Sequence, residues 1–289
     1  MQKVSFLGHE VSKLIVGDNP FNGHSYITDK TTGAEMMEFY TASKILETLF
    51  AVEESGINTM LPLADPFIIR LLAEYERAGG KMQWIFQPYM PMNQDVSMRQ
   101  MMSLKNTIGI YHQGTTTDFS FETGKMDDVK ARIEKYHSMG IPVGIGTHRP
   151  DVVQFAMEEG WNVDFLVTCM YNGRRHREGE ASGFLTGKTK ENLSFYKCDP
   201  PIMLDMLAKY DKPVIAYKLF AGGQMFLGKS PEEIRGCIKD AYSTVFGALK
   251  PNDIGAIGIF QRDKDELRED VEIFDEWYNE THPQGHTAD

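Results

Sequence analysis

Short apolar runs alternate along the chain with longer segments whose apolar residues recur every three or four positions. The short runs fall at 13–17, 57–61, 83–87, 108–112, 142–147, 164–169, 213–218 and 254–260. Several are rich in Val and Ile and bounded by Gly, Pro or Asp, the composition of parallel strands buried on both faces. Between them the spacing predicts helices at 35–55, 66–79, 95–105, 126–139, 150–160, 201–210, 231–249 and 264–278. In the 126–139 segment, Val129, Ile133 and Tyr136 recur at spacings of four and three, with charges between them, so one face is apolar. Pro150 and Pro231 suit the first turn of a helix, where a missing N–H costs nothing. Gly56, Gly140 and Gly160 suit helix ends that need positive φ.

Strand–helix units repeated about eight times over this length predict a (β/α)8 TIM barrel, a closed parallel sheet ringed by helices. The expected organisation is a single domain over residues 1–280 with a polar, disordered tail at 281–289. An open doubly wound sheet is the alternative, but no glycine-rich phosphate fingerprint follows the first strand. In a barrel the chemistry sits where strands end and the following loops begin. The longest such loops follow the first strand (18–32) and the sixth (170–200), and loops of that length usually cover or build a site.

Composition narrows the partners. The 289 residues carry a net charge of -11 with acidic and basic residues interspersed, which disfavours nucleic acid and anionic membranes. No stretch approaches the roughly 20 apolar residues of a membrane span, and the N-terminus lacks the apolar run of a signal peptide. Cys169, Cys198 and Cys237 are widely spaced and odd in number, as reduced thiols would be. These features predict a cytoplasmic protein acting on a small molecule, with a homo-oligomer left open.

The opening VSFLGHEVSKLIVGDNPFNG, followed in order by SGINTMLPLAD, IGIYHQG, GIPVGIGTHRPDVVQFAMEEGWNVDFLVTCMYN, KPVIAYKLFAGGQM and GAIGIFQRDKDELRED, resembles the aldo-keto reductases over nearly the whole chain. The resemblance implies an N-terminal hairpin that closes the barrel floor. It also implies reduction of carbonyls with NADPH through an Asp, Tyr, Lys and His set. Only His112 matches its place in that set; Leu61, Pro66 and Gln87 stand where the Asp, Tyr and Lys are expected, and Asp65 is the nearest acid to replace the first. For a cofactor, NADP or NAD, the resemblance points to Thr147 beside His148, to Tyr217 as the ring stacked on nicotinamide, and to Arg262 and Arg268 near the adenosine phosphate. Asp263 and Asp265 are mixed among those arginines and would repel a phosphate.

The strand ends themselves supply other candidates. His112, His148, Asp18 and Lys218 are candidate catalytic groups, because titratable side chains gathered on one rim suit acid–base work. Gly144 and Gly146 share a strand face with His148 and would leave room beneath its ring. A lysine among apolar strands can lose its proton and act as a base or imine former, and Lys218 holds that place. Asn19, His24, Gln87, Cys169, Tyr171 and Arg174 are candidate substrate contacts. The charged run around Arg174 is a candidate lid. Asp18, His112 and His148 together are a candidate set for a divalent metal, with no short motif behind them.

Three functions follow. The first is a divergent aldo-keto-reductase-like oxidoreductase, NAD(P)-linked, acting on a small carbonyl or sugar-like compound. The second is a cofactor-free or metal-assisted lyase, isomerase or hydrolase using the same rim. The third is a non-enzymatic binding or regulatory subunit, which would need a large exposed apolar patch.

Overall fold

The computed structural model describes residues 1–180 and 193–283. The chain opens with two short antiparallel strands, β1 (Lys3–Phe6) and β2 (His9–Ser12). Leu7 and Gly8 join them at φ 52° and 82°, the paired left-handed conformation that a two-residue hairpin requires. Eight parallel strands then form a closed barrel: β3 (Leu14–Gly17), β4 (Thr59–Leu61), β5 (Gln83–Phe86), β6 (Thr107–His112), β7 (Val143–Thr147), β8 (Phe165–Cys169), β9 (Val214–Tyr217) and β10 (Ile254–Ile257). Each pairs with its successor, and β10 closes on β3 with Ala256 opposite Ile15. The architecture is the (β/α)8 barrel expected from the alternation of apolar runs.

The helices are α1 (Gly33–Phe39), α2 (Ala42–Glu54), α3 (Pro66–Arg77), α4 (Gln94–Met101), α5 (Gly114–Glu122), α6 (Met126–His137), α7 (Pro150–Glu158), α8 (Asp199–Leu207), α9 (Pro231–Ala248) and α10 (Glu266–Thr281). Two depart from expectation. The segment 35–55 is not one helix, because Tyr40 turns its ring into the core and donates its hydroxyl to the Ile259 carbonyl (3.0 Å), and Thr41 caps a new helix by accepting the Lys44 amide (3.3 Å). The segment from Gly114 to Glu122 forms a helix despite its threonines and its lack of any apolar stripe. Thr281, where a disordered tail was expected to begin, is the last residue of α10; residues 284–289 lie outside the described residues.

Strand geometry sorts side chains between two cores. Ile15, Leu61, Ile85, Ile108, Tyr111, Phe165, Val167, Ile215 and Ala256 fill the barrel interior, and Phe6 and Val11 of the hairpin join them. Phe6 meets Phe165 edge-on with ring centres 6.0 Å apart. Alternate strand residues, among them Val16, Met60, Ile110, Leu166 and Val214, pack outward with the helices. Gly144 does not leave space beneath His148, as expected from sequence: a Cβ there would come within 2.5 Å of the Phe165 ring. Gly146 is as tightly placed: a Cβ there would come within 2.8 Å of the His112 carbonyl oxygen and the Gly114 amide nitrogen, so its absence lets the start of α5 lie against β7. Among the described residues no helix is long and apolar enough to cross a membrane.

Candidate active site

At the C-terminal rim, β7 ends in Thr147 and delivers His148, β9 ends in Tyr217 and delivers Lys218, and the short helix α5 brings Asp118 against them. Asp118 is fully buried. One carboxylate oxygen takes the Thr147 hydroxyl; the other accepts the backbone N–H of His148 (3.1 Å) and meets its Nδ1 at 2.8 Å. When ionised, the carboxylate only accepts hydrogen bonds, and in that state the pairing places the ring proton on Nδ1 and leaves Nε2 as the reactive atom. Nε2 lies 2.9 Å from the Tyr217 hydroxyl and 3.2 Å from Lys218 Nζ. Burial pushes the Asp118 carboxyl up to about 7, while the Thr147 hydroxyl, the His148 amide and the Arg174 charge work the other way.

Lys218 is held in a strained conformation, φ 59°, which a side-chain-bearing residue rarely adopts. Its ammonium lies 4.8 Å from the Tyr26 ring centre, 5.2 Å from that of Tyr217 and 5.8 Å from that of Phe195. Burial works against its charge, but Tyr26, Cys169 and Asp118 outweigh it and hold its pKa above the ordinary lysine value. That direction runs against the lowered pKa that an imine-forming lysine needs. Burial pushes the Tyr217 phenol well above its usual value.

These groups face a cavity of about 680 Å³. Asp18, Asn19, His24, Gln87, His148, Tyr217 and Lys218 all line it, joined by Tyr111 and Gln113. Tyr111 donates its hydroxyl to Gln87 (3.2 Å). Asp18 accepts the Leu63 amide and the Asn22 side chain (2.8 Å) through one carboxylate oxygen. Burial pushes Asp18 up to about 7, against those two hydrogen bonds and with a smaller upward push from Asp65.

Other candidates lie elsewhere. His112 does not line the cavity. Tyr111, one residue earlier, takes the interior face, so period-two alternation turns the His112 ring outward. There its Nδ1 meets the Thr117 hydroxyl (2.8 Å) and its Nε2 faces Arg132 (3.3 Å). Burial, with Arg132 beside it, pulls its pKa down to about 3, so it is a neutral packing residue. The set Asp18, His112 and His148 therefore does not converge, and among the described residues no group of three or more metal-binding side chains does. Asp65 is the cap of α3, accepting the Phe67 and Ile68 amides (2.7 and 3.0 Å), and not a displaced catalytic acid.

Thr147 serves Asp118. Cys169 is buried and its Sγ accepts the Tyr171 amide (3.4 Å), and the Tyr171 ring packs on Phe195. Arg174 grips Glu122 of α5 through two nitrogens and also reaches the Glu180 carbonyl (2.8 Å). Glu122 accepts the Gly179 amide (2.8 Å) and Arg149 (3.0 Å) as well, so residues 174–180 are pinned to α5 rather than hinged as a lid; residues 181–192 lie outside the described residues.

Arg262 and Arg268 do not form a phosphate cradle at the far end of the cavity. Arg262 is paired with Asp263 (2.9 Å) and Glu35 (3.2 Å), and Arg268 reaches Glu272 with its side chain 74% exposed. Neither arginine lines the cavity, whereas the carboxylate-bearing Asp263 and Glu266 do. Lys30, Lys229 and Lys264 line the cavity beside those carboxylates, so the two arginines named for a 2′-phosphate are not the cations that face it.

Comparison with known proteins agrees with the architecture. An aldo-keto reductase from Bacillus halodurans in its holo form superposes with a TM-score of 0.60 at 11% identity, covering 94% of this chain and 90% of that one. A Yersinia pestis DHPS bound to a pterine-sulfa conjugate gives 0.52 at 9% identity over 98% and 100% of the two chains. A truncated 3-deoxy-D-arabino-heptulosonate 7-phosphate synthase from Thermotoga maritima gives 0.50 at 11% identity over 97% and 90%. The likeness is one of fold. No protein-family model matches the chain, and neither does any curated protein.

Asp118 was invisible in the sequence reading because the stretch from Gln113 to Gly124 looks like a polar loop. Its one signal is a lone acid in a run of Thr, Ser and Phe directly after a strand end.

Proposed function

We propose that this protein is an enzyme that moves protons on a small hydroxylated carbonyl compound, in the manner of an isomerase or lyase. The observation that carries this is the chain Asp118–His148–Tyr217/Lys218 ending at the wall of the rim cavity. His148 Nε2 is the base. It takes a proton from the carbon beside a substrate carbonyl, and the electron pair of that C–H bond forms a carbon–carbon double bond as the carbonyl oxygen gains charge. Lys218 and the Tyr217 hydroxyl stabilise that oxygen. Asp118 holds the ring orientation and offsets the imidazolium charge. Returning the proton to the neighbouring carbon completes an isomerisation with no net gain or loss of electrons. Asp18, across the cavity and poised near neutrality, exchanges protons with the substrate's oxygens.

Two features favour this reading over an NADPH-linked reductase: the engaged Arg262 and Arg268, and the turning of His112 away from the cavity. A second reading, an NAD(H)-linked oxidoreductase, draws on Asp263 lining the far end, since a carboxylate suits a ribose diol better than a phosphate. A partner-protein role draws less support, because the exposed large apolar side chains Met37, Phe67, Met102, Tyr196, Ile202 and Leu227 stand on separate elements.

The test is deuterium uptake. Small hydroxyaldehydes and hydroxyketones are incubated with the protein in D2O and followed by proton NMR. The expected result is exchange beside a carbonyl of at least one compound, lost in His148→Asn. No exchange across the panel, with NADH binding that supports turnover, would replace this reading by the second.

A further inference from the structure

The cavity extends well past the polar cluster at its floor. It continues between the loops that follow β3, β9 and β10 as far as Asp263 and Lys264. In this outer part its walls are Ile27, Met36, Phe226, Leu227, Ile234 and Phe260. Met36 and Phe260 are buried, Ile27, Phe226 and Ile234 are half-buried, and Leu227 is 46% exposed. Three of the charged groups there, Asp263, Lys264 and Glu266, are engaged by neighbouring charges or by backbone. Glu266 accepts the Phe260 amide (2.7 Å), Asp263 is paired with Arg262 (2.9 Å), and Lys264 is paired with Glu269. Lys30 and Lys229 stand exposed at the edge. A guest in the outer chamber therefore meets apolar side chains, whereas one at the floor meets Asp18, Gln87, Tyr111, His148 and Lys218.

Size points the same way. A volume of about 680 Å³ lies well inside the range of roughly 300–1,000 Å³ for cavities that enclose drug-sized ligands. A lone small sugar at the floor would leave most of it to water, against apolar walls from which displacing water is favourable.

We propose that the substrate has two parts: a hydroxyl- and carbonyl-bearing head that reaches His148, and an apolar group of at least one aromatic ring that lies against the outer walls. The head rests on the proton-transfer reading above; the apolar seat stands on the cavity walls alone.

The experiment compares phenyl β-D-glucoside with methyl β-D-glucoside by saturation-transfer NMR and affinity titration, on the intact protein and on three variants. The phenyl compound is expected to bind roughly 10- to 100-fold tighter, with its ring protons receiving the strongest saturation, as burial of one ring predicts. Leu227→Asp, at a largely exposed position that tolerates the change, and Ile234→Asp should each remove most of that advantage. His148→Asn should leave it intact. Absent or equal binding of the phenyl compound, binding indifferent to Leu227→Asp and Ile234→Asp, or its displacement by NADH with the same residue dependence would each overturn the proposal. A preserved phenyl preference without any deuterium exchange would sink the proton-transfer reading and leave the apolar seat standing.

Discussion

Two histidines end neighbouring strands of this barrel, and they have opposite fates. His112 closes β6 and His148 follows β7 directly, so both sit at the rim where barrel enzymes place their chemistry. His148 faces the cavity, anchored by Asp118 and touching Tyr217 and Lys218. His112 faces the helices, anchored by Thr117 and crowded by Arg132. Height along a strand brings a residue to the rim; the side of the pleat decides whether it reaches a substrate. The surroundings then shape its chemistry: the Asp118 carboxyl orients the His148 ring, whereas full burial, with Arg132 beside it, keeps the His112 ring neutral.

The widest gap between the two should appear on mutation. His148→Asn is expected to lower proton exchange by about a thousandfold with little change in melting temperature, in line with the usual worth of a positioned general base. His112→Leu is expected to cost about 1–3 kcal/mol of stability through its lost hydrogen bonding while the folded variant still exchanges protons. Denaturant titration beside the exchange assay separates the two, and equal activity losses would erase the distinction.

The dependence of stability on pH sharpens it. Asp18 titrates near 7 in the fold and near 4 when unfolded, so its contribution is complete below about 4 and is lost as pH rises towards 7. His112 runs the other way: its folded pKa near 3 lies below its ordinary value, so its contribution is complete above about 6.5 and is lost as pH falls. Each contribution is on the order of 4 kcal/mol at most, at 1.36 kcal/mol per pKa unit. Melting temperature should therefore peak between these limbs. Asp18→Asn should make the alkaline limb shallower, the rest of it belonging to the buried carboxyls of Asp118, Glu266 and Asp270, and His112→Leu should flatten the acid limb; unchanged limbs would contradict these environments.

A smaller effect is expected at Arg174, which touches no cavity group but pins the segment 174–180 to α5 through Glu122 and places its charge near Asp118. Arg174→Gln should cut exchange by roughly tenfold and raise the pH at which Asp118 ionises, shifting the pH profile upward, because a cation that favours the carboxylate is gone. A loss of stability with an unmoved pH profile would make Arg174 structural only.

Much of the barrel was legible beforehand because its strands are buried on both faces and read as Val- and Ile-rich runs between Gly, Pro and Asp. The side of each strand was not. Placing His112 in the site required knowing that Tyr111, rather than its neighbour, takes the interior face, and a shift of one residue reverses every assignment along β6. His148, Lys218, Asp18, Asn19, His24 and Gln87 were named from their places at strand ends and do line the cavity. Asp118 was missed because α5 carries no apolar stripe and no side-chain cap; contact with β7, closed up by Gly146, holds it helical. Arg262 and Arg268 were named for a cofactor by resemblance, and their engagement by Asp263, Glu35 and Glu272 is a tertiary fact that no spacing reveals.

Nitrogen-15 NMR of the histidine rings tests the central arrangement without any substrate. At pH 7 to 8, His148 should carry its proton on Nδ1, with Nε2 unprotonated and responsive to Lys218→Met, and Asp118→Asn should abolish that tautomer preference. A His148 ring protonated on Nε2 instead, or one unaffected by Asp118→Asn, would contradict the account.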